Sequence, residues 1–256
     1  MRRLGISIYP EKSTLSEIKS YLKKTSEFGF SRIFSCLLSV NKSAEEIKKE
    51  FTEINEYAHS LGFEVIVDVS PRVFGELNIS YKDLSFFKEI GADGIRLDAG
   101  FSGLEESIMT YNPQGLIVEI NMSNNVHTLD TIMDYRPNKY KLYGCHNFYP
   151  HRYSGLNLDF YKECTRRFNQ YGIKTAAFVT CGDKNAFGPW PTTEGLSTLE
   201  LHRELPLDVQ IKHHIAMELV DDILISNCYP TDEELQSLQG LDLDLVTFDV
   251  ELVNGI

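Results

Sequence analysis

The sequence has no excess of basic charge: 25 lysines and arginines stand against 37 aspartates and glutamates, a formal net charge of −12. Such a chain offers no general surface to nucleic acid or to an anionic membrane, both of which need a basic face. An anionic ligand must therefore meet a local group of cations. No apolar run approaches the roughly 20 residues of a transmembrane helix. The opening M-R-R-L-G-I-S-I-Y-P has neither the apolar stretch nor the cleavage site of a secretory signal. The five cysteines, Cys36, Cys145, Cys164, Cys181 and Cys228, contain no C-x-x-C pair, and their odd number fits free thiols in a reducing compartment. A cytoplasmic protein is expected. The nucleotide-cradling patterns G-x-G-x-x-G and G-x-x-x-x-G-K-[ST] are missing too. So is H-E-x-x-H; His213 and His214 lie in a helical stretch and His146 alone stands near a strand end, so neither a metal nor a cofactor is expected.

What is present is an alternation of two periodicities. Strand patterns at 4–9, 32–38, 63–69, 94–98, 115–120, 140–145, 173–179 and 222–226 alternate with helical ones. Thr14 with Glu17, Ser43 with Glu46 and Thr231 with Glu234 read as capping boxes opening three of the helices. The second helix, with Ile47, Phe51, Ile54, Ala58 and Leu61 on one face, stops at Gly62. Further helices are expected at about 81–90, 126–133 and 207–219, and one carries Tyr161, Cys164, Phe168 and Tyr171. The stretch after 69, with Pro71 and Gly75, reads as a loop, and a longer loop follows 179. Eight uninterrupted strand–helix units predict an α/β fold, a closed (β/α)8 TIM barrel over residues 1–242. Residues 243–256 read as a further strand leaving the barrel, the start of a second small β domain.

A barrel of this kind places its active site at the C-terminal ends of the strands. Tyr9, Asp68, Arg96, Asp98, Glu119, Asn121, His146, Asn147, Asp183 and Lys184 all fall at or just after such ends. Carboxylates are costly to bury unpaired, so Asp68, Asp98, Glu119 and Asp183 on one rim imply a metal, proton transfer or structural pairing with Arg96, the metal being disfavoured by the scarcity of strand-end histidines. Two carboxylates without a metal suit glycoside cleavage, one protonating the leaving oxygen and the other supporting the oxocarbenium-like centre or activating water. Asp98 and Glu119, on adjacent strands, are the expected catalytic pair, with Asp183 third and Asp68 fourth. The segment 139–156, K-Y-K-L-Y-G-C-H-N-F-Y-P-H-R-Y-S-G-L, crowds two imidazoles, a guanidinium and several phenols into one loop, a donor-rich surface for an anion in which Arg152 and His146 would grip. Packing of those aromatics on a neighbouring helix accounts for the loop equally well. Trp190 would stack on a sugar face. Lys139 and Lys141 leave open a second class, a phosphosugar lyase or aldolase working through a Schiff base. A third is a protein that binds a phosphosugar without turning it over.

G-I-S-I-Y-P at 5–10, I-V-D-V-S-P at 66–71, G-I-R-L-D-A-G-F at 94–101, V-E-I-N-M-S-N at 118–124, H-N-F-Y-P-H-R-Y-S-G-L at 146–156 and G-P-W-P-T-T-E-G-L-S-T-L-E-L-H-R at 188–203 together resemble the 6-phospho-N-acetylmuramidase family. The resemblance implies a cytoplasmic exo-glycosidase of bacterial cell-wall recycling. Its partner would be a small phosphorylated disaccharide, 6-phospho-N-acetylmuramyl-N-acetylglucosamine, cleaved at the β-1,4 bond. It also implies a barrel followed by a cyclophilin-like β domain, which would begin near 243. Under the resemblance, the loop at 146–153 is where the 6-phosphate or lactyl carboxylate would be held, helped by Arg96 and Lys184.

Overall fold

The structure is a computed structural model that describes residues 2–38, 42–190, 192–248 and 250. Eight parallel strands, β1 (Arg3–Ile8), β2 (Phe30–Cys36), β3 (Glu64–Val69), β4 (Gly94–Leu97), β5 (Ile117–Asn121), β6 (Leu142–Cys145), β7 (Lys174–Val179) and β8 (Asp222–Ile225), pair in sequence order and close on themselves. The helices are α1 (Leu15–Glu27), α2 (Ala44–Ser60), α3 (Pro71–Glu76), α4 (Ser85–Glu89), α5 (Leu104–Met109), α6 (Thr128–Asp134), α7 (Leu158–Asn169), α8 (Leu207–Met217) and α9 (Asp232–Ser237). This is the expected (β/α)8 barrel. Val65, Val67, Ile95, Val118, Phe178 and Leu224 are fully buried, as the unbroken apolar strand runs require when helices cover the sheet.

The three expected capping boxes form, each with its Ser or Thr side chain accepting from the third helical N–H. Gly62 has φ +86°, a left-handed conformation that lets α2 stop and the chain turn into β3. Gly94 opens β4 where a Cβ would stand 2.7 Å from Ile66 Cδ1 and 2.8 Å from the Ile117 carbonyl, so the close approach of β3, β4 and β5 requires glycine.

Some element expectations are corrected. The stretch after β3 is not wholly loop: Pro71, which gives up no helical hydrogen bond at a first position, starts α3. Helix α5 escapes the sequence pattern because it is one and a half turns long and leaves Leu104 and Ile108 facing outward. The helix expected at 81–90 is confined to α4. Residues 243–248 and 250 carry no strand, and the rest of the expected 243–256 strand lies outside the described residues. Among the described residues no helix is long and apolar enough to cross a membrane.

Registered partners run obliquely through the barrel. Cys36 pairs with Asp68, Asp68 with Arg96, Arg96 with Glu119, Glu119 with Tyr143 and Tyr143 with Lys174. That line starts at the last residue of β2 and ends at the first residue of β7. Strand tilt and stagger thus carry a single register from the mouth to the floor, with Asp68 near the top and Glu119 well below it.

Candidate active site

The C-terminal mouth holds a cleft of about 680 Å³, bordered by Asp68, Arg72, Arg96, Asp98, Asn147 and Trp190 among others. Arg96 organises its base. Its Nη1 donates to Asp68 Oδ1 at 2.6 Å and to Asp98 Oδ1 at 3.3 Å, and its Nη2 donates to Asn147 Oδ1. The guanidinium lies 5.9 Å over the Phe34 ring, and Phe34 meets Phe178 and Phe148 edge-on. Phe148 borders the cleft, and Phe34 and Phe178 are buried behind it.

The two aspartates experience opposite environments. The Asp68 side chain is 5% exposed and that of Asp98 42%. Burial pushes the Asp68 carboxyl up to about 7, against the pull of Arg96 in the other direction. One carboxyl is thus a neutral-range proton donor while its neighbour stands in solvent.

The motif at 146–156 builds the wall beside them. Asn147 N–H donates to Ser123 Oγ, and its carbonyl accepts from Thr198 Oγ1 at 2.7 Å. Glu200 accepts from the backbone N–H groups of Tyr153 and Gly155, both at 2.8 Å, and from Nε and Nη2 of Arg203, which lowers its carboxyl to about 2. A Cβ on Gly155 would stand 2.9 Å from the Glu200 backbone nitrogen. The motifs at 146–156 and 188–203 are therefore two halves of one clasp, which sets Phe148 and Trp190 edge to face at 5.9 Å beside the cleft.

Several expected site residues go elsewhere. Glu119 is fully buried and bound to Arg32, which also binds Asp222; it does not border the cleft. His146 is buried behind β6, with Nδ1 on Ser123 Oγ at 3.1 Å and Nε2 on Thr165 Oγ1 at 2.9 Å, and burial lowers its pKa to about 3. It is a neutral packing group. Arg152 faces away from the cleft toward Glu204 and Glu194, in a separate small hollow where Asp183 and Lys184 also lie. Asp183 accepts from its own loop, at the N–H of Asn185. Tyr9 is buried and donates to the Ser226 carbonyl at 2.5 Å. Asn121 lies beside the cleft, donating weakly to the Asp98 carbonyl at 3.5 Å. Lys141 precedes β6 and donates to the Gly115 carbonyl ahead of β5, at the opposite end of the barrel from the cleft. Among the described residues no group of three or more His, Cys, Asp or Glu is arranged to hold a metal ion.

The residue that sequence reasoning missed is Arg72. It is 63% exposed at the cleft edge, held by the Leu38 carbonyl at 2.6 Å and by Glu76 at 3.2 Å. The available signal was its position directly after S-P at the end of β3.

The sequence profile described as 6-phospho-N-acetylmuramidase, N-terminal, matches residues 4–240. The chain belongs to this family. Among solved structures it is similar to an uncharacterized Bacillus cereus protein, with 48% identity and a TM-score of 0.86 over 95% of this chain and 66% of that one. A conserved Enterococcus faecalis protein of unknown function gives 22% identity and a TM-score of 0.79 over 92% of this chain and 64% of that one, a likeness of fold. The chain thus spans slightly less than two thirds of each of these proteins. Thiamine phosphate pyrophosphorylase from Pyrococcus furiosus, at 12% identity and a TM-score of 0.51 over 93% of this chain and 92% of that one, shares only the barrel. Comparison with functionally curated proteins gives no match. The family's name is that of a glycoside hydrolase, and the members form a glycosidase-like group on a barrel fold typical of enzymes.

Proposed function

We propose that this protein is an exo-glycosidase that hydrolyses the β-1,4 bond of 6-phospho-N-acetylmuramyl-N-acetylglucosamine in the cytoplasm, a step of bacterial cell-wall recycling. The observation that carries the reading is the family match combined with a cleft whose base is the Asp68–Arg96–Asp98 constellation. Asp68, its carboxyl raised to about 7 by burial, protonates the leaving glycosidic oxygen. Asp98, open to the cleft, attacks the anomeric carbon as the bond to that oxygen breaks, and water, giving a proton to Asp68, then displaces Asp98 from the sugar. Their Oδ1 atoms are bonded to one nitrogen at 2.6 and 3.3 Å, so they lie no more than about 6 Å apart. That upper bound admits the roughly 5–5.5 Å spacing of retaining pairs and falls short of the roughly 6.5–9.5 Å of inverting ones. Retention of the β configuration is expected.

Trp190 and Phe148 supply the apolar face against which a sugar ring packs, and Arg72 supplies the exposed cation for its phosphate or lactyl carboxylate. Schiff-base chemistry through Lys139 or Lys141 finds no support in a lysine at the far end of the barrel. The test is to incubate the protein with the phosphorylated disaccharide and follow release of the two monosaccharides. Tight binding with no product at high enzyme concentration would make it a phosphosugar-binding protein instead.

A further inference from the structure

Asp98 borders two hollows. One is the 680 Å³ cleft; the other, about 260 Å³, lies on the β4–β5 side of the mouth between the loops after those strands, with Gly100, Phe101, Glu106, Asn121, Asn124 and Thr128 among its lining residues. The proposed reaction needs two sugar subsites that meet at the nucleophile, and Asp98 borders both hollows while Asp68 borders the larger one. We infer, resting on the proposed function, that the smaller hollow is the subsite for the leaving N-acetylglucosamine and that the larger cleft takes the phosphorylated sugar.

Charge sets the direction. The larger cleft carries Arg72 at its rim with its guanidinium largely exposed. The smaller hollow is bordered by two carboxylates, Asp98 and Glu106, and by no lysine, arginine or histidine. A phosphate or lactyl carboxylate placed there would meet like charge with no counter-ion, whereas a neutral hexosamine meets only hydrogen-bonding groups. Glu106 is committed to shaping the hollow: its carboxylate accepts from the N–H groups of Phe101 at 2.5 Å and Gly103 at 2.7 Å. The Asn121 Oδ1 is likewise occupied, accepting from Ser123 N–H at 2.8 Å.

Asn124 and Thr128 are different. Neither side chain makes a hydrogen bond among the described residues, and both border the hollow. An amide and a hydroxyl with donors and acceptors to spare match the hydroxyl and acetamido groups of a neutral aminosugar. The structure assigns them to recognition of the leaving sugar, a role that affects disaccharide turnover and leaves the anionic half to Arg72.

The experiment compares the phosphorylated disaccharide with an aryl β-glycoside of the same phosphosugar, whose flat leaving group makes no hydrogen bonds. In Asn124→Ala with Thr128→Val, the ratio of kcat/KM for the disaccharide to kcat/KM for the aryl glycoside should fall by roughly tenfold or more, the effect of losing one or two hydrogen bonds to a substrate. Both positions are surface polar groups without protein partners, and thermal melting of the variant checks that it folds as the unaltered protein does. A ratio unchanged within twofold, with the unaltered protein active on both substrates, overturns the subsite assignment alone. An unaltered protein that cleaves neither substrate overturns the proposed function, and this inference with it.

Discussion

Two arginines inside the same barrel each bridge two carboxylates, and they have opposite fates. Arg32 binds Glu119 and Asp222, with Arg3 and Glu64 extending the chain of charges toward the floor of the barrel, and Arg32, Glu119 and Asp222 are all sealed from solvent. Arg96 binds Asp68 and Asp98 at the mouth, where Asp98 is open to solvent and Asp68 sits just beneath the cleft. Residue types and hydrogen-bonding pattern are nearly the same. Depth separates them: Glu119 lies level in register with Arg96, yet it is sealed in the barrel interior and does not border the cleft that Arg96 lines. A carboxylate becomes available for chemistry when one side of its ion pair opens onto a cavity.

The sharpest way to break this comparison is to neutralise one carboxylate from each cluster. Asp98→Asn should lower kcat on the phosphorylated disaccharide by roughly 10²–10⁴-fold with little change in melting temperature, because its one ion pair, to Arg96 at 3.3 Å, is half open to solvent and the amide oxygen still accepts from Arg96. Near-normal turnover would remove Asp98 from the mechanism. Glu119→Gln should do the reverse, costing about 3 kcal/mol of stability in chemical denaturation as a sealed ion pair loses a partner, while the folded fraction turns over within a few-fold of normal. A large loss of kcat at unchanged stability would show that the buried network reaches the chemistry after all.

The pH profile tests the mouth cluster further. An acid catalyst must hold its proton, and burial sets that of Asp68 at about 7, so kcat/KM should decline as pH rises through about 7. Asp68→Asn should abolish that limb along with most of the activity. The same raised pKa affects folding with a defined sign. The unfolded carboxyl releases its proton near an ordinary aspartate value of about 3.9, so the unfavourable contribution is absent below that value and grows until pH passes about 7. In Asp68→Asn, the decline of stability across that window should flatten when melting temperature is followed against pH.

The barrel was legible because its signals are local and repeated. Capping boxes at Thr14, Ser43 and Thr231, and apolar runs such as 63–69, state the element and its ends without reference to anything distant. The site was legible only as a set of strand-end positions. Asp68, Arg96, Asp98 and Asn147 do converge on the cleft, but Glu119, His146 and Tyr9 turn into protein. Position along one strand does not reveal how far that strand has slipped relative to its neighbours, and that slip decides which side chain sees solvent. The clasp of Glu200 and Arg203 on the 146–156 loop was equally invisible, since it joins residues 45 and 47 positions apart. The basic, aromatic loop therefore looked like a ligand surface when much of it is a support for Phe148 and Trp190.

The smallest expected effects concern two of the exposed arginines, Arg72 and Arg152, and they carry the comparison from carboxylates to cations. Arg152 meets two carboxylates, Glu194 and Glu204, in a hollow away from the cleft, so its charge is already matched by acids. Arg72 has one carboxylate partner, Glu76, 3.2 Å away, and that pair is open to solvent on both sides. Exposed pairs contribute roughly 0–1 kcal/mol, so an incoming phosphate with several charged oxygens competes readily for the guanidinium. Arg72→Ala should therefore raise KM for the phosphorylated disaccharide by about tenfold with kcat less affected, the signature of a contact made equally in ground and transition states. Arg152→Ala should shift KM by less than about twofold, as expected for a surface substitution away from the site. If the two variants exchanged effects, the anion would be held by the 146–153 loop as the sequence first indicated, and the cleft at Asp68 and Asp98 would have to bind its substrate without Arg72.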